Sequence, residues 1–219
     1  FHNIEVKNLD ITAKGIVMVG GLVAENGAEG KFYDCSVQGT INASGITDTD
    51  CYVGGLCGNA GWNHDVNEGG IQYVRCTADV DIISGGAAAG GLIGSCTNQN
   101  DNNKYIIFTD CVSKGDITSA GAAGGIAGIA DRGVFNNCVV TGTIVGAEGS
   151  TGYFVGELHD YTPKYDSRFP EGTWPYPVDE MTFNKCIYTG AKTLPMFGNV
   201  EEGVTYTVIY AGVAVINGK

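Results

Sequence analysis

A short element, an apolar residue followed by Gly-Gly and then Leu or Ile, recurs through this 219-residue chain. It occurs as Val19-Gly20-Gly21-Leu22, Val53-Gly54-Gly55-Leu56, Ala89-Gly90-Gly91-Leu92 and Ala123-Gly124-Gly125-Ile126. A degenerate fifth copy reads Val155-Gly156-Glu157-Leu158, so the first glycines fall at 20, 54, 90, 124 and 156. A repeat every 32 to 36 residues restricts the chain to an array of one small supersecondary unit, because no such unit can bury its apolar face alone.

Between these copies lies a second element, Cys-x-x-x-Gly/Val-x-Ile, at Cys35 to Ile41, Cys76 to Ile82, Cys111 to Ile117 and Cys138 to Ile144, with a weaker form at Cys186 to Lys192. Both elements are short, rich in Val, Ile and Thr, and bounded by Gly, Asn or Asp, which is a strand signature. On a strand, alternate residues share a face. Cys35, Val37, Gly39 and Ile41 therefore form one small apolar face, as do Cys138, Val140, Gly142 and Ile144, and that face points inward. The expected fold is all-β, a β-solenoid resembling a parallel β-helix, of about five coils with long loops on one edge. Residues 1–219 form a single domain in this reading, and the alternating tail at 203–219 closes one end, since an open coil is an unpaired edge.

Composition narrows the function. Twelve Lys and Arg against 24 Asp and Glu leave a net charge of -12, which argues against a nucleic-acid partner. Glycine, at 35 residues, exceeds its usual share while helix formers are scarce. The longest uncharged runs are broken by Gly and Ser, so no membrane span is expected. No signal peptide is recognisable, and a chain opening at Phe1 is expected to have flanking domains in a longer parent protein.

The segment Val19 to Gly27, followed by Phe32-Tyr33-Asp34-Cys35-Ser36-Val37-Gln38-Gly39-Thr40-Ile41, resembles the GLUG motif, a Gly-Gly-Leu-Val-Gly-x-Asn then Asn-Cys-x-x-x-Gly-x-Val pattern. Gly124-Gly125-Ile126-Ala127-Gly128 with Asn136-Asn137-Cys138-Val139-Val140-Thr141-Gly142-Thr143-Ile144 matches it again, and the resemblance spans about residues 15–192. It implies a repeat region of large secreted or surface-attached bacterial proteins, often adhesin-like, with no catalytic residue to carry over. The departures are Glu157 in place of the second glycine and insertions before Cys76, Cys111 and Cys186.

Five of the eight cysteines hold the inward position and no C-x-x-C pair exists, so a buried row of free thiols is expected rather than a zinc site. Cys51, Cys57 and Cys96 fall outside the row, leaving a Cys57–Cys96 bridge open. The insertions enter at one point of the coil and should gather on one edge, the usual place for a solenoid's binding face. They carry the candidate ligand-binding residues: Trp62 and Asp65 in the first, and Asp160, Trp174 and Tyr176 in the last. Indole and phenol rings stack on sugar C–H faces while carboxylates take hydroxyl hydrogen bonds. These rings can equally pack a long loop onto the coils. The Asn98 to Asn103 run reads as a solvated turn, since its sixth position lacks Gly and its twelfth lacks Glu.

A catalytic alternative rests on the outward face, where Asp79, Asp81, Asp116 and Lys114 fall on adjacent coils. Strands about 4.8 Å apart bring two carboxylates near the roughly 5 Å separation used by retaining glycosidases. Such a row also serves simply as a solubilising surface. No H-E-x-x-H, G-x-S-x-G, P-loop or G-x-G-x-x-G occurs, and His2, His64 and His159 show no metal spacing. The residues favour a non-catalytic secreted or cell-surface module without cofactor or metal, a rigid stalk or a surface for a glycan or a protein. The alternative is a polysaccharide-cleaving lyase or glycosidase.

Overall fold

The computed structural model describes the chain except residues 16–17, 28–29, 49, 62–69, 97–105, 160–180, 191–193, 205, 210–211 and 214–219. The described residues contain no helix, and their strands stack in parallel from coil to coil into four sheets. The chain is a β-solenoid, and each coil crosses the four faces in turn. Face one carries the longest strands, Glu5–Lys14, Ser36–Gly45 and Thr77–Ser84, which split into two short pieces in later coils. Face two holds the Gly-containing strands Met18–Gly20, Tyr52–Gly54, Ala88–Gly90, Ala123–Gly124 and Thr151–Gly152. Face three runs from Val23–Asn26 to Phe197–Val200, and face four from Lys31–Tyr33 to Tyr206–Ile209.

The alternation read from the Cys element holds on face one. Cys35, Val37, Ile41, Cys138, Val140 and Ile144 are all buried, while Gln38, Thr40, Thr141 and Thr143 between them are exposed. All eight cysteines are free and buried. The Cys57–Cys96 bridge does not form: in register Cys57 lies beside Ile93 and Cys96 beside Ala60, three residues apart along the strands. Each thiol donates instead to a carbonyl, Cys57 Sγ to Asn59 O (3.1 Å) and Cys96 Sγ to Arg132 O (2.9 Å). Burial pushes the Cys57 thiol up to about 12 and the Cys96 thiol well above its ordinary value, so both stay protonated and inert.

Two features of the corner before each Cys are absent from the sequence reading. Asp34, Arg75, Asp110, Asn137 and Lys185 all adopt the left-handed conformation, with φ of 52° to 56°. That conformation is unfavourable for side chains other than Gly, Asn and Asp. It is held because each of these amides donates to the next coil, as Arg75 N does to Thr109 O (2.9 Å) and Lys185 N to Ile209 O (2.7 Å). Three residues before each of Cys35, Cys76, Cys111, Cys138 and Cys186 an aromatic ring points inward. Phe1, Phe32, Tyr73, Phe108, Phe135 and Phe183 stack in one file with centroids 4.8, 5.0, 4.8, 5.5 and 5.0 Å apart.

The glycine pair has two separate duties. A Cβ on Gly90 would sit 2.6 Å from Gly128 N and closer still to Ile93 O, so the first glycine lets face two lie against the backbone of face three. A Cβ on Gly91 would collide with Ser113 Oγ and Gly125 O, so the second leaves room for the inward residue of face one in the next coil. This assignment corrects the fifth copy. Gly124 pairs with Gly152 and Ala127 with Val155, which places Gly156 at the level of Gly128, not of the first glycine. The fifth copy is therefore Gly152-Tyr153-Phe154-Val155-Gly156, and Tyr153, not Glu157, replaces the second glycine. In the tail 203–219, Tyr206–Ile209 and Gly212–Val213 add further parallel rungs to faces four and one.

Candidate functional site

The insertions of the second, third and fifth coils leave face three after Ala60, Cys96 and Leu158, which lie side by side in register with Ala130. They return at Ile71, Ile106 and Met181, the first residues of their face-four strands. One corner thus serves all three, whereas the fourth coil turns it with residues 131–133 alone. Trp62, Asp65, Asp160, Trp174 and Tyr176, and the Asn98 to Asn103 run, belong to these insertions and lie outside the described residues.

The face-one residues of the catalytic alternative are described. Asp79 follows Ala78, which pairs with Ser113, so Lys114 lies one coil step from Asp79. Asp81 and Asp116 precede Ile82 and Ile117, which are also partners. Asp81, Asp116 and Lys114 are exposed and Asp79 is half-buried. Two of the carboxylates are committed to the backbone. Asp116 N donates to Asp81 Oδ1 (2.9 Å) and Thr143 N donates to Asp116 Oδ1 (2.7 Å). Here the face-one strand is interrupted, at 114–116 and again at 141–143, and the side chains satisfy amides that a continuous ladder would have paired. Lys114 makes no ion pair with Asp79, Asp81 or Asp116.

A polar cluster that the sequence reading did not single out lies at the loop corner. Ala130, Leu158 and Val200 pair in register, so the residues that follow them, Asp131, His159 and Glu201, occupy equivalent places on three successive coils. Their amides continue the ladder: Asp131 N to Cys96 O (3.1 Å), His159 N to Ala130 O (2.9 Å) and Glu201 N to Leu158 O (3.0 Å). His159 Nε2 lies 2.8 Å from Oε2 of Glu157, two residues earlier on the strand that ends at Leu158. Asp131 and its neighbour Arg132 are buried, at 6% and 7% exposure. The hydrogen bond from His159 holds the Glu157 carboxyl below its ordinary value, and the same bond raises the His159 imidazole, against desolvation and with help from Glu201 and Asp131. The legible signal was positional, the residue directly after each face-three strand.

At the opposite end of the face-one strands, a shallow groove of about 410 Å³ is lined by Ile144, Val145, Ala147, Leu194 and Pro195, with Glu148 as the charged side chain among its described lining residues. Among the described residues no group of three or more His, Cys, Asp or Glu could hold a metal ion, and no helix is long and apolar enough to cross a membrane. Among the described residues charge is used in pairs and rows along the stack, on face one to cap amides and at the loop corner beside the His159 imidazole. No protein-family model matches the chain, and no curated protein matches it as a relative.

Proposed function

We infer that the chain is a non-catalytic repeat module of a secreted or cell-surface protein, of the adhesin-like kind that its GLUG-like repeats resemble. It holds one edge, built from the insertions of three coils, towards a glycan or a protein. The observation that carries this reading is the common corner: segments of very different length leave and re-enter the stack at equivalent positions, which gathers variable sequence over a rigid base. Trp62, Trp174 and Tyr176 are the stacking candidates, with Asp65 and Asp160 for polar contacts.

The rival reading, a polysaccharide-cleaving enzyme acting through Asp79, Asp81, Asp116 and Lys114, is less well supported. Two of its carboxylates each accept a backbone amide, and Asp81, Asp116 and Lys114 are exposed among the described residues. The deciding experiment probes the chain with a broad panel of glycans and matrix proteins and assays the same polysaccharides for released sugar. Binding that is lost in Trp174→Ala, with no product released, supports the module. Release of sugar that disappears in Asp116→Asn refutes it in favour of the enzyme.

A further inference from the structure

The corner row places a single imidazole among carboxylates from three coils. Asp131 comes from the turn before Val134–Asn136, Glu157 from the strand Val155–Leu158 that leads to His159, and Glu201 from the residues after Phe197–Val200. The other charged residues beside these positions in the sequence are Arg132, next to Asp131, Asp160, next to His159, and Glu202, next to Glu201. Successive rungs of a parallel ladder are about 4.8 Å apart. At that spacing like charges repel unless a cation lies between them. Side-chain exposure of 34% for His159 and 22% for Glu157 leaves the pair reachable by solvent protons yet only partly screened.

We propose that His159 is a pH-sensitive clamp that, when protonated, binds the carboxylates of three successive coils together at the base of the longest insertion. The device goes beyond the proposed function and does not depend on what the edge recognises.

Its pH window follows from the two partners. The folded value of His159 is raised, so its stabilisation is complete below the unfolded value of 6.5 and is lost as pH rises through the folded value. Glu157 is depressed, so its share is complete above the unfolded value of 4.5 and is lost as pH falls through the folded value. The clamp is tightest between these limits, in mildly acidic surroundings, and opens on the alkaline side.

The test compares the thermal midpoints of the full chain, His159→Gln and Glu157→Gln from pH 5.5 to 8.5, together with the NMR titration of the imidazoles. His2 and His64 are present in all three proteins and cancel in the differences. The unmodified chain should lose about 3–5 °C on the alkaline side for each unit by which folding raises the His159 value. His159→Gln should be flat by comparison, and Glu157→Gln should bring the His159 titration back towards about 6.5. A His159 resonance titrating at or below about 6.5 in the unmodified chain overturns the clamp. So does a His159→Gln profile parallel to that of the unmodified chain. Should His159→Gln fail to fold, the titration in the other two proteins still decides the matter.

Discussion

The first four coils and the fifth solve the same packing problem in opposite ways. In the first four, a glycine on face two lies under a small inward residue of face one in the next coil: Gly21 under Val37, Gly55 under Ala78, Gly91 under Ser113 and Gly125 under Val140. In the fifth, the glycine is Tyr153 and the residue above it is Tyr188, the partner of Val140 in the ladder. The two rings stack with centroids 5.1 Å apart and planes 4° apart, and both are nearly buried, at 7% and 1% exposure. The lesson is that the repeat conserves a fit between neighbouring coils rather than a residue. Small against small keeps faces one and two close, and the fifth coil instead places two stacked flat rings at the same position.

The largest effect that would break this comparison is at the first glycine, which both kinds of coil retain. Gly90→Ala places a methyl group against the Ile93 carbonyl and the Gly128 amide, backbone atoms that no rotamer change can move. It should cost about 3 kcal/mol or more, seen as a fall in thermal midpoint of about 10 °C or as failure to fold. The tyrosine pair sharpens the comparison. Tyr153→Gly alone should cost about 3–5 kcal/mol by opening a cavity beneath Tyr188. Combining it with Tyr188→Val restores the combination of Gly125 and Val140, so the double variant should be more stable than the sum of the singles by about 1 kcal/mol, measured by denaturant unfolding.

A smaller effect lies on the outer face. Asp116→Ala leaves the Thr143 amide without its acceptor and should cost about 0.5–1.5 kcal/mol, whereas Asp116→Asn keeps an acceptor oxygen and should cost less. The same pair of unfolding curves checks both. The smallest effect is at the exposed bidentate pair of Arg75 with Asp34 (2.6 and 2.8 Å). There Arg75→Ala should leave the midpoint unchanged within error and show no dependence on salt.

Much of this architecture is legible in the sequence because it follows from period and alternation. The inward row from Cys35 to Cys186, the parallel stacking of coils and the common entry point of the insertions all come from spacings in the chain. The fifth copy is misread for a physical reason. Gly152 and Gly156 are four residues apart, as Gly124 and Gly128 are, and once Tyr153 removes the tell-tale pair either glycine can be taken for the first. The aromatic file was present as a Phe or Tyr three residues before each of the five Cys of the inward row, but a ring in a strand has many uses until its neighbours are known. The left-handed corner is less visible still, since Asp, Arg, Asn and Lys share no propensity that announces it. At the candidate site, the face-one acids could be aligned from spacing, yet not their capture by the Asp116 and Thr143 amides, which depends on where the strand breaks. The alignment of His159 with Asp131 and Glu201 is not legible in the sequence, because those two carboxylates are separated from it by whole coils.

The inward thiol row offers the most direct test of the stacked-coil account, because one register error would turn alternate residues outward. Ellman titration of the unreduced protein, native and then unfolded in denaturant, reads it. The account predicts no reactive thiol in the native state and all eight after unfolding. Rapid native reaction of several thiols, or fewer than eight after unfolding, would contradict it.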